Sequence, residues 1–556
     1  MKLSGSEILI RTLIEQNVDV VFGYPGGQVI HIYDTLYMHQ DEIKHVLTAH
    51  EQGASHAADG YARSTGKVGV VIATSGPGAT NLVTGIATAY LDSIPLVAIT
   101  GNVSNDLIGR DSFQEVDITG VTMPVTKHNF FVNKVSKLAD TVREAFRLAK
   151  SGRPGPVLID IPKDVQIAQW DYEPHAAVEA DAKKAAEDDD IAQAVQLINE
   201  SERPYIYCGG GVISSGATEE AMALADKIDG VIGCSFMGLS AVPTDNERFY
   251  GMQGMHGHYA SSKAQHKADL IVAVGARFSD RATGNKAKYA PGAKIVHIDI
   301  DNAEIDKNIP AHCGVCGDLK LTLEKIIAAV DKKKHQEWID TVKEYDAFEK
   351  SRIPHPSIMN PYNIIDVINR TVTPDTCIAT DVGQHQMWAA QFCKFSKPRK
   401  FISSGGLGTM GFGLGAAIGS QIGSGKKSVL ITGDGSFGMC LNELATVSSY
   451  DIPVVIVVVN NGVLGMVRQW QTLFFKKHYS NTILDRKTDF VRLAEAFGVK
   501  GYRCTEMSDF EKTMKEAFES DGPALIECFV DKDEMVLPML PPGGSMDDII
   551  VERIGD

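Results

Sequence analysis

The chain has 556 residues, 44% of them apolar and 22% charged, globular values ample for several large cores. A net charge of −16 argues against a nucleic-acid or anionic-membrane surface. Nine scattered cysteines argue against a disulfide scaffold.

Met1–Glu15 has no basic region followed by an apolar core, so no signal peptide is read, and runs such as Pro453–Val459 are too short to span a bilayer. The expectation is a soluble, cytoplasmic protein in a reducing compartment. In chain order, short β-branched runs at Val68–Ala73, Ile94–Thr100, Pro156–Ile161, Leu270–Val274, Ile295–Ile300, Val429–Thr432 and Pro453–Val459 are apolar at consecutive positions. That pattern predicts strands buried on both faces. Helix-length segments such as Ala79–Leu91 and Asn442–Tyr450 lie between them, predicting α/β units with parallel sheets flanked by helices. Asp171–Asp190 and Asp331–Ser357 read as linkers, with a solvated helix over Lys332–Glu349 inside the second. The expected domains are 1–175, 190–335 and 358–556.

An internal repeat organises the outer two. At an offset of 358 residues, the separation of Thr74 from Thr432, residues 74–102 align on 432–460 without a gap. Identities fall at Thr74/Thr432, Ala87/Ala445, Thr88/Thr446, Ile94/Ile452, Pro95/Pro453, Val97/Val455 and Asn102/Asn460, and Gly53 aligns on Gly411. First and third domains therefore read as variants of one scaffold around an unrelated middle domain.

In the third domain a strand runs into Gly433-Asp434-Gly435-Ser436, and a second ends at Asn460-Asn461, Asn461 lying 28 positions beyond Gly433. Adjacent parallel strands would bring Asp434 and Asn461 together at the carboxyl edge, where open α/β sheets bind ligands. A carboxylate and an amide oxygen suit Mg²⁺ that is also held by phosphates, and glycines let backbone amides approach a diphosphate. Alone, Gly-Asp-Gly is a turn; the spacing to Asn-Asn after a second strand is what points to a site.

These motifs resemble the signature of thiamine-diphosphate-dependent enzymes. The resemblance implies a metal held by Asp434, Asn461 and the Val463 carbonyl. It implies Glu51, in His50-Glu51-Gln52-Gly53, as the carboxyl that hydrogen-bonds the cofactor's aminopyrimidine and favours loss of the thiazolium C2 proton. Met410 would wedge under the folded cofactor, with Gly408, Gln384, His385, Gly435, Ser436, Leu464, Gly465 and Met466 lining its pocket.

The middle domain carries Gly209-Gly210-Gly211, Gly254-Met255-His256-Gly257, Gly275-Ala276-Arg277 and Asp299-Ile300-Asp301. Gly/Arg and Asp at two strand ends fit the phosphate and ribose of an adenine dinucleotide. With Arg153 and Asp318 they resemble the FAD site of acetohydroxyacid synthase large subunits, a Rossmann-like domain. The likeness extends through Phe22–Gly27, Thr74–Asn81, Phe113–Glu115, Thr126–His128, Met466–Trp470 and Leu537–Gly544. It implies that Gly27, Phe113, Gln114 and Lys127 surround the reacting centre and that Arg281 and Trp470 line the substrate channel. Implied substrates are pyruvate and 2-oxobutanoate, and implied partners are a second copy in a dimer or tetramer and a small regulatory subunit. Gly415 and Ser279 depart from many relatives, which carry Pro and Asp there. A flavin-using pyruvate oxidase, a catabolic acetolactate synthase and a non-catalytic cofactor-binding scaffold stay open on sequence. Cys313-Gly-Val-Cys316 has no second pair and reads as structural thiols rather than zinc ligands.

Overall fold

A computed structural model describes residues 1–353 and 358–552. It contains three six-stranded sheets, each parallel throughout. Every strand foreseen from a β-branched run is present, with ends displaced by a residue or two, and Leu270–Val274 coincides. Ala79–Leu91 divides into two helices, Pro77–Asn81 and Val83–Asp92. Asn442–Tyr450 becomes a 3-10 turn leading into the helix Leu444–Ser449.

The N-terminal sheet runs, in space, Lys44–Leu47, Val20–Tyr24, Gly69–Ala73, Leu96–Asn102, Pro156–Pro162, His128–Phe131. The C-terminal sheet runs Phe401–Ile402, Cys377–Thr380, Ser428–Gly433, Val454–Asn460, Ala524–Phe529, Lys500–Cys504. Both follow the same order, in which the second strand flanks the first and the sixth lies inside the fifth. The 358-residue offset lays Leu96–Asn102 on Val454–Asn460 end to end.

The correspondence reaches individual hydrogen bonds. Asn102 Nδ2 donates to Asp160 Oδ2 at 2.6 Å, and its counterpart Asn460 Nδ2 donates to Glu527 Oε1 at 2.9 Å. The two carboxylates hold equivalent register positions, Asp160 opposite Thr100 and Glu527 opposite Val458. At the positions of Asp434 and Asn461, however, the first copy carries Gly76 and Val103. One scaffold was duplicated, and a hard-oxygen pair is present in only one copy.

The middle sheet runs Phe249–Met252, Val231–Cys234, Pro204–Cys208, Leu270–Val274, Lys294–Asp299, Cys313–Cys316. This is the 3-2-1-4-5-6 order of dinucleotide-binding sheets, whose ligand crevice opens between the first and fourth strands. Cys313 and Cys316 lie on its edge strand; among the described residues no group of three or more His, Cys, Asp or Glu side chains could hold a metal.

The first linker begins at the last residue of a short strand, Gln169–Asp171, paired antiparallel with Lys2–Ser4, and has no regular structure until the helix Asp188–Glu200. In the second, the foreseen helix spans Gln336–Lys350, and the Pro-His-Pro-Ser segment lies outside the described residues. No helix among the described residues is long and apolar enough to cross a membrane.

The outer units share one core. A single buried apolar cluster runs from Val20, Phe22 and Ala57 through Leu414 and Ala416 to Leu430 and Val458. Its seam is the crossing of two helices, Glu51–Thr65 and Gly413–Ser424, at which a β-carbon on Gly60 would overlap the Ala416 carbonyl and one on Gly419 the Ala57 carbonyl. Backbones this close tolerate only hydrogen. Gly419→Ala should therefore destabilise the chain by about 2–3 kcal/mol through forced separation of the helices, read as a lowered midpoint in thermal unfolding. An unchanged midpoint would contradict this packing.

Candidate active site

The candidate cofactor site lies at the carboxyl edge of the C-terminal sheet. Ser428–Gly433 and Val454–Asn460 are neighbours, Gly433 lying opposite Val459, so Asp434 and Asn461 leave adjacent strand ends side by side. Burial pushes the Asp434 carboxyl up to about 6; backbone N–H groups of Gly435 and Asn461 and the field of Arg486 act in the other direction. Among the described residues it has no ion-pair partner within 4 Å. Asn461 is oriented from both sides: its Nδ2 donates to Gln384 Oε1 at 3.1 Å, and its Oδ1 accepts the Val463 N–H at 3.2 Å. Gln384 in turn donates to Gln469 Oε1 and to the Glu534 carbonyl. A desolvated carboxylate without a cation, beside a fixed amide oxygen, is a donor set that suits Mg²⁺ completed by phosphate and water.

His385 is buried between Gly383 and Gly433, and desolvation lowers its pKa to about 3, so the ring is neutral. Its Nε2 has no hydrogen-bond partner in the protein. A buried ring nitrogen without a protein partner, in the wall of a site, is free to hydrogen-bond a ligand atom. Above Gly435, a β-carbon would lie 3.0 Å from Leu464, 3.1 Å from Leu484 and 3.9 Å from the Met410 methyl. These three apolar side chains crowd the turn that follows Asp434. Ser436 Oγ accepts the Gly411 N–H at 3.4 Å, and Gly408 adopts φ +70° with open space on its β-carbon side. Val463 and Met466 continue the wall, Val463 pairing with Ile483 across a bridge. The chain leaves the strand through a single helical turn, Asp434–Phe437.

A second cluster gathers at the carboxyl edge of the N-terminal sheet. Glu51 opens the helix Glu51–Thr65, and its Oε2 accepts from Asn81 Nδ2 at 3.0 Å. Gly78 passes beside Glu51 and Thr74, and the Gln28 N–H donates to Thr74 Oγ1 at 3.2 Å. Gln114, with φ +60°, is in contact with Gly76, while Phe113 is 83% exposed and Gly27 has no neighbour where a side chain would begin. The chain thus brings Glu51, Gln114 and the Thr74–Asn81 turn together, and Gly27 joins them through its neighbours Gly26 and Gln28 at Thr74.

Lys127 is not with them. Its ammonium caps the helix Leu138–Lys150, donating to the Leu148 and Ser151 carbonyls, and its N–H bonds Pro156, the first residue of its strand. That is the amino edge of the same sheet. Within one chain, Lys127 cannot share a reacting centre with Glu51. Spacing along a sequence does not record which edge of a sheet a loop occupies.

In the middle sheet, Gly209–Gly211 and Gly275–Arg277 leave the first and fourth strands on either side of the switch point. The two turns are zipped together: Gly209 N–H donates to the Val274 carbonyl at 3.0 Å and Gly211 N–H to the Gly275 carbonyl at 3.1 Å. A β-carbon on Gly209 would overlap the Gly275 carbonyl, so this glycine is required by packing independently of any ligand. Gly210 lies beside Met237. Arg277 is half-buried and forms no ion pair among the described residues; burial holds its pKa below the usual range. Arg153 reaches this edge from the N-terminal unit, donating to Glu304 Oε1 at 2.6 Å and Ser93 Oγ at 2.8 Å, with Asp301 at 3.5 Å. Asp299 beside it is pushed up to about 6 by burial, and Ile300 is exposed. Asp318 is different: it caps the helix Leu319–Ala329 through the Leu321 N–H and pairs with Lys183, so its carboxylate is already satisfied.

The loop Gly254–Gly257 joins the middle unit to the C-terminal one. Met255 is pinned between the Arg281 carbonyl and the Leu540 N–H, the His256 carbonyl accepts from Gln391, and His256 Nδ1 is buried without a partner. The Arg281 guanidinium lies over the Trp470 ring at 6.0 Å, so the two channel candidates meet although 189 positions separate Arg281 from Trp470. Leu484 and Arg486 lie beside the turn after Asp434 and carried no motif; Asn81 acts through Glu51 and Glu304 through Arg153, partners that only folding supplies. Gly415 packs on the Gly53 carbonyl and His56 inside its helix, and Ser279 precedes the short helix Asp280–Thr283.

Models of the thiamine pyrophosphate enzymes match all three units: the N-terminal TPP-binding domain over residues 3–121, the central domain over 191–326 and the C-terminal TPP-binding domain over 381–528. The chain is a thiamine pyrophosphate enzyme. It is 45% identical over 99% of its length to a probable acetolactate synthase large subunit of Methanocaldococcus jannaschii (95% of that protein covered). It is 45% identical to the acetolactate synthase large subunit of Corynebacterium glutamicum (99% and 90% covered) and 41% identical to the isozyme 3 large subunit of Escherichia coli (99% of each). The chain belongs to the acetolactate synthase large-subunit family.

Proposed function

We propose that the chain is the catalytic subunit that decarboxylates pyruvate and joins the remaining two-carbon unit to a second 2-oxo acid. With pyruvate the product is 2-acetolactate, and with 2-oxobutanoate it is 2-aceto-2-hydroxybutanoate, in branched-chain amino acid synthesis. The observation that carries this reading is the desolvated Asp434 beside Asn461 in a chain whose full-length relatives are acetolactate synthases. Bound thiamine diphosphate would supply a thiazolium carbon able to act first as nucleophile and then as electron sink.

Asp434, Asn461 and the Val463 carbonyl would hold Mg²⁺ and through it the diphosphate, with His385 Nε2, Gln384 and the Gly435–Ser436 turn alongside. Met410 and Leu464 would keep water from the reacting carbon and hold the cofactor bent, with Gly408, Gly465 and Met466 giving it room. Glu51 would hold a proton on the aminopyrimidine nitrogen and so favour loss of the thiazolium proton. The Arg281 guanidinium, already oriented over Trp470, would take the carboxylate of the incoming 2-oxo acid while the indole edge contacts its alkyl group.

Within one chain, Glu51 and Asp434 belong to the carboxyl edges of two different sheets. A second copy, in a dimer or tetramer, would complete each site, bringing Gln114, Phe113 and Gly27 to the reacting centre. The unpaired Arg277, the unpartnered His256 nitrogen and the Asp299 edge fit an adenine dinucleotide, so FAD would lie over Gly209–Gly211, Gly254–Gly257 and Gly275, near Arg153 and Ile300. Its role would be structural, since the overall reaction has no net redox change. A small regulatory subunit and a cytoplasmic location complete the proposal.

The FAD proposal predicts a yellow protein with visible flavin absorbance, at least tenfold depleted in Arg277→Ala through loss of a charge-assisted phosphate contact. A colourless wild-type protein that takes up no added FAD would contradict it. Pyruvate oxidase is the second reading. Oxygen-dependent acetate formation in place of acetolactate would favour it.

A further inference from the structure

The loop from Ser403 to Gly411 carries Gly408 and Met410 and is gripped by the N-terminal unit of the same chain. Asp92 closes the helix Val83–Asp92, with its side chain fully buried. Its Oδ1 accepts the Gly406 N–H at 2.7 Å and its Oδ2 the Gly405 N–H at 3.1 Å. Arg63, from the helix Glu51–Thr65, donates to Asp92 Oδ2 at 2.9 Å and to the Ser403 carbonyl at 2.8 Å, while Asp59 holds it from behind. Thr88 shares a hydroxyl hydrogen bond of 2.7 Å with Thr409, the residue before Met410.

An aspartate at the last position of a helix opposes the helix dipole, and a buried carboxylate costs still more unless it is paired and hydrogen-bonded. Here two successive loop N–H groups and one guanidinium supply those bonds, so two of the three are present only when the loop lies where it does. Gly406 is required by the same contact, since a β-carbon there would sit 2.9 Å from Asp92 Oδ1. Between these anchors Leu407 and Gly408 are exposed and Met410 is half-buried.

We propose that Asp92 and Arg63 are positioning residues that set the Gly405–Met410 loop and thereby the affinity of the C-terminal unit for its cofactor. The proposal rests on that unit binding thiamine diphosphate. Two measurements on Asp92→Asn separate the ideas: titration of apoprotein with thiamine diphosphate and Mg²⁺, and hydrogen exchange of the 403–413 segment without cofactor. The expected result is about tenfold or greater loss of affinity, as for a lost charged hydrogen bond, with faster exchange confined to 403–413 and unchanged in the strand Val454–Asn460. Rate at saturating cofactor should stay within a fewfold of wild type.

Thr88→Val, which leaves every charge in place, should weaken affinity about fivefold and serves if Asp92→Asn fails to fold. Wild-type affinity or wild-type exchange at 403–413 in the folded variant would overturn the proposal, as would a lowered melting temperature with both of these unchanged. Wild-type protein that binds no thiamine diphosphate would instead overturn the functional reading, and the exchange result would still decide whether Asp92 holds the loop.

Discussion

Replacing Glu51 by glutamine is expected to lower acetolactate formation by about a hundred- to ten-thousand-fold, the range supplied by a positioned acid or base. Glutamine keeps the size of the side chain and can still accept from Asn81 Nδ2, so the helix start should hold. What it loses is the exchangeable carboxyl proton. Thiamine diphosphate binding should therefore weaken only a fewfold while the rate at saturating cofactor collapses. That split separates a role in proton transfer from one in folding or binding. Near-wild-type turnover would remove Glu51 from the chemistry.

Asp434→Ala is expected to have the opposite signature. Outer-sphere partners of metal sites typically contribute 10–100-fold in metal affinity, so loss of a direct ligand should weaken Mg²⁺-dependent thiamine diphosphate binding by at least about 100-fold. Because Asp434 is desolvated and lacks a cationic partner, the alanine protein should fold at least as well as wild type without cofactor. Titration of apoprotein with cofactor at fixed Mg²⁺, beside thermal unfolding of the same samples, gives both quantities. Unchanged affinity, or a severe loss of apoprotein stability, would make Asp434 a structural carboxylate.

Consecutive β-branched residues carried the strands because a parallel sheet covered on both faces imposes that pattern. The duplicated scaffold was legible because strand, turn and helix repeat at one offset, even to the Asn102 and Asn460 hydrogen bonds. Edge strands such as Lys2–Ser4, His128–Phe131 and Cys313–Cys316 gave no such signal, being short and partly exposed. The Asp434–Asn461 pair was legible because both residues directly follow strands whose adjacency the spacing implies. Lys127 was misplaced because its loop returns to the amino edge, a fact of three-dimensional path. Asp318 follows a strand and was counted with the FAD-site residues, yet its local role is a helix cap, which the same residue type serves equally well. Leu484 and Arg486 lie on an irregular segment, and irregular backbone leaves no periodicity to read.

The most direct test of the account is product analysis of the purified chain with pyruvate, Mg²⁺, thiamine diphosphate and FAD, with and without 2-oxobutanoate. The expected products are 2-acetolactate and CO₂ in equal amounts from pyruvate alone, and 2-aceto-2-hydroxybutanoate once 2-oxobutanoate is present, without oxygen consumption. Acetate or acetyl phosphate formed with uptake of oxygen, or no turnover by protein that has bound its cofactors, would contradict it.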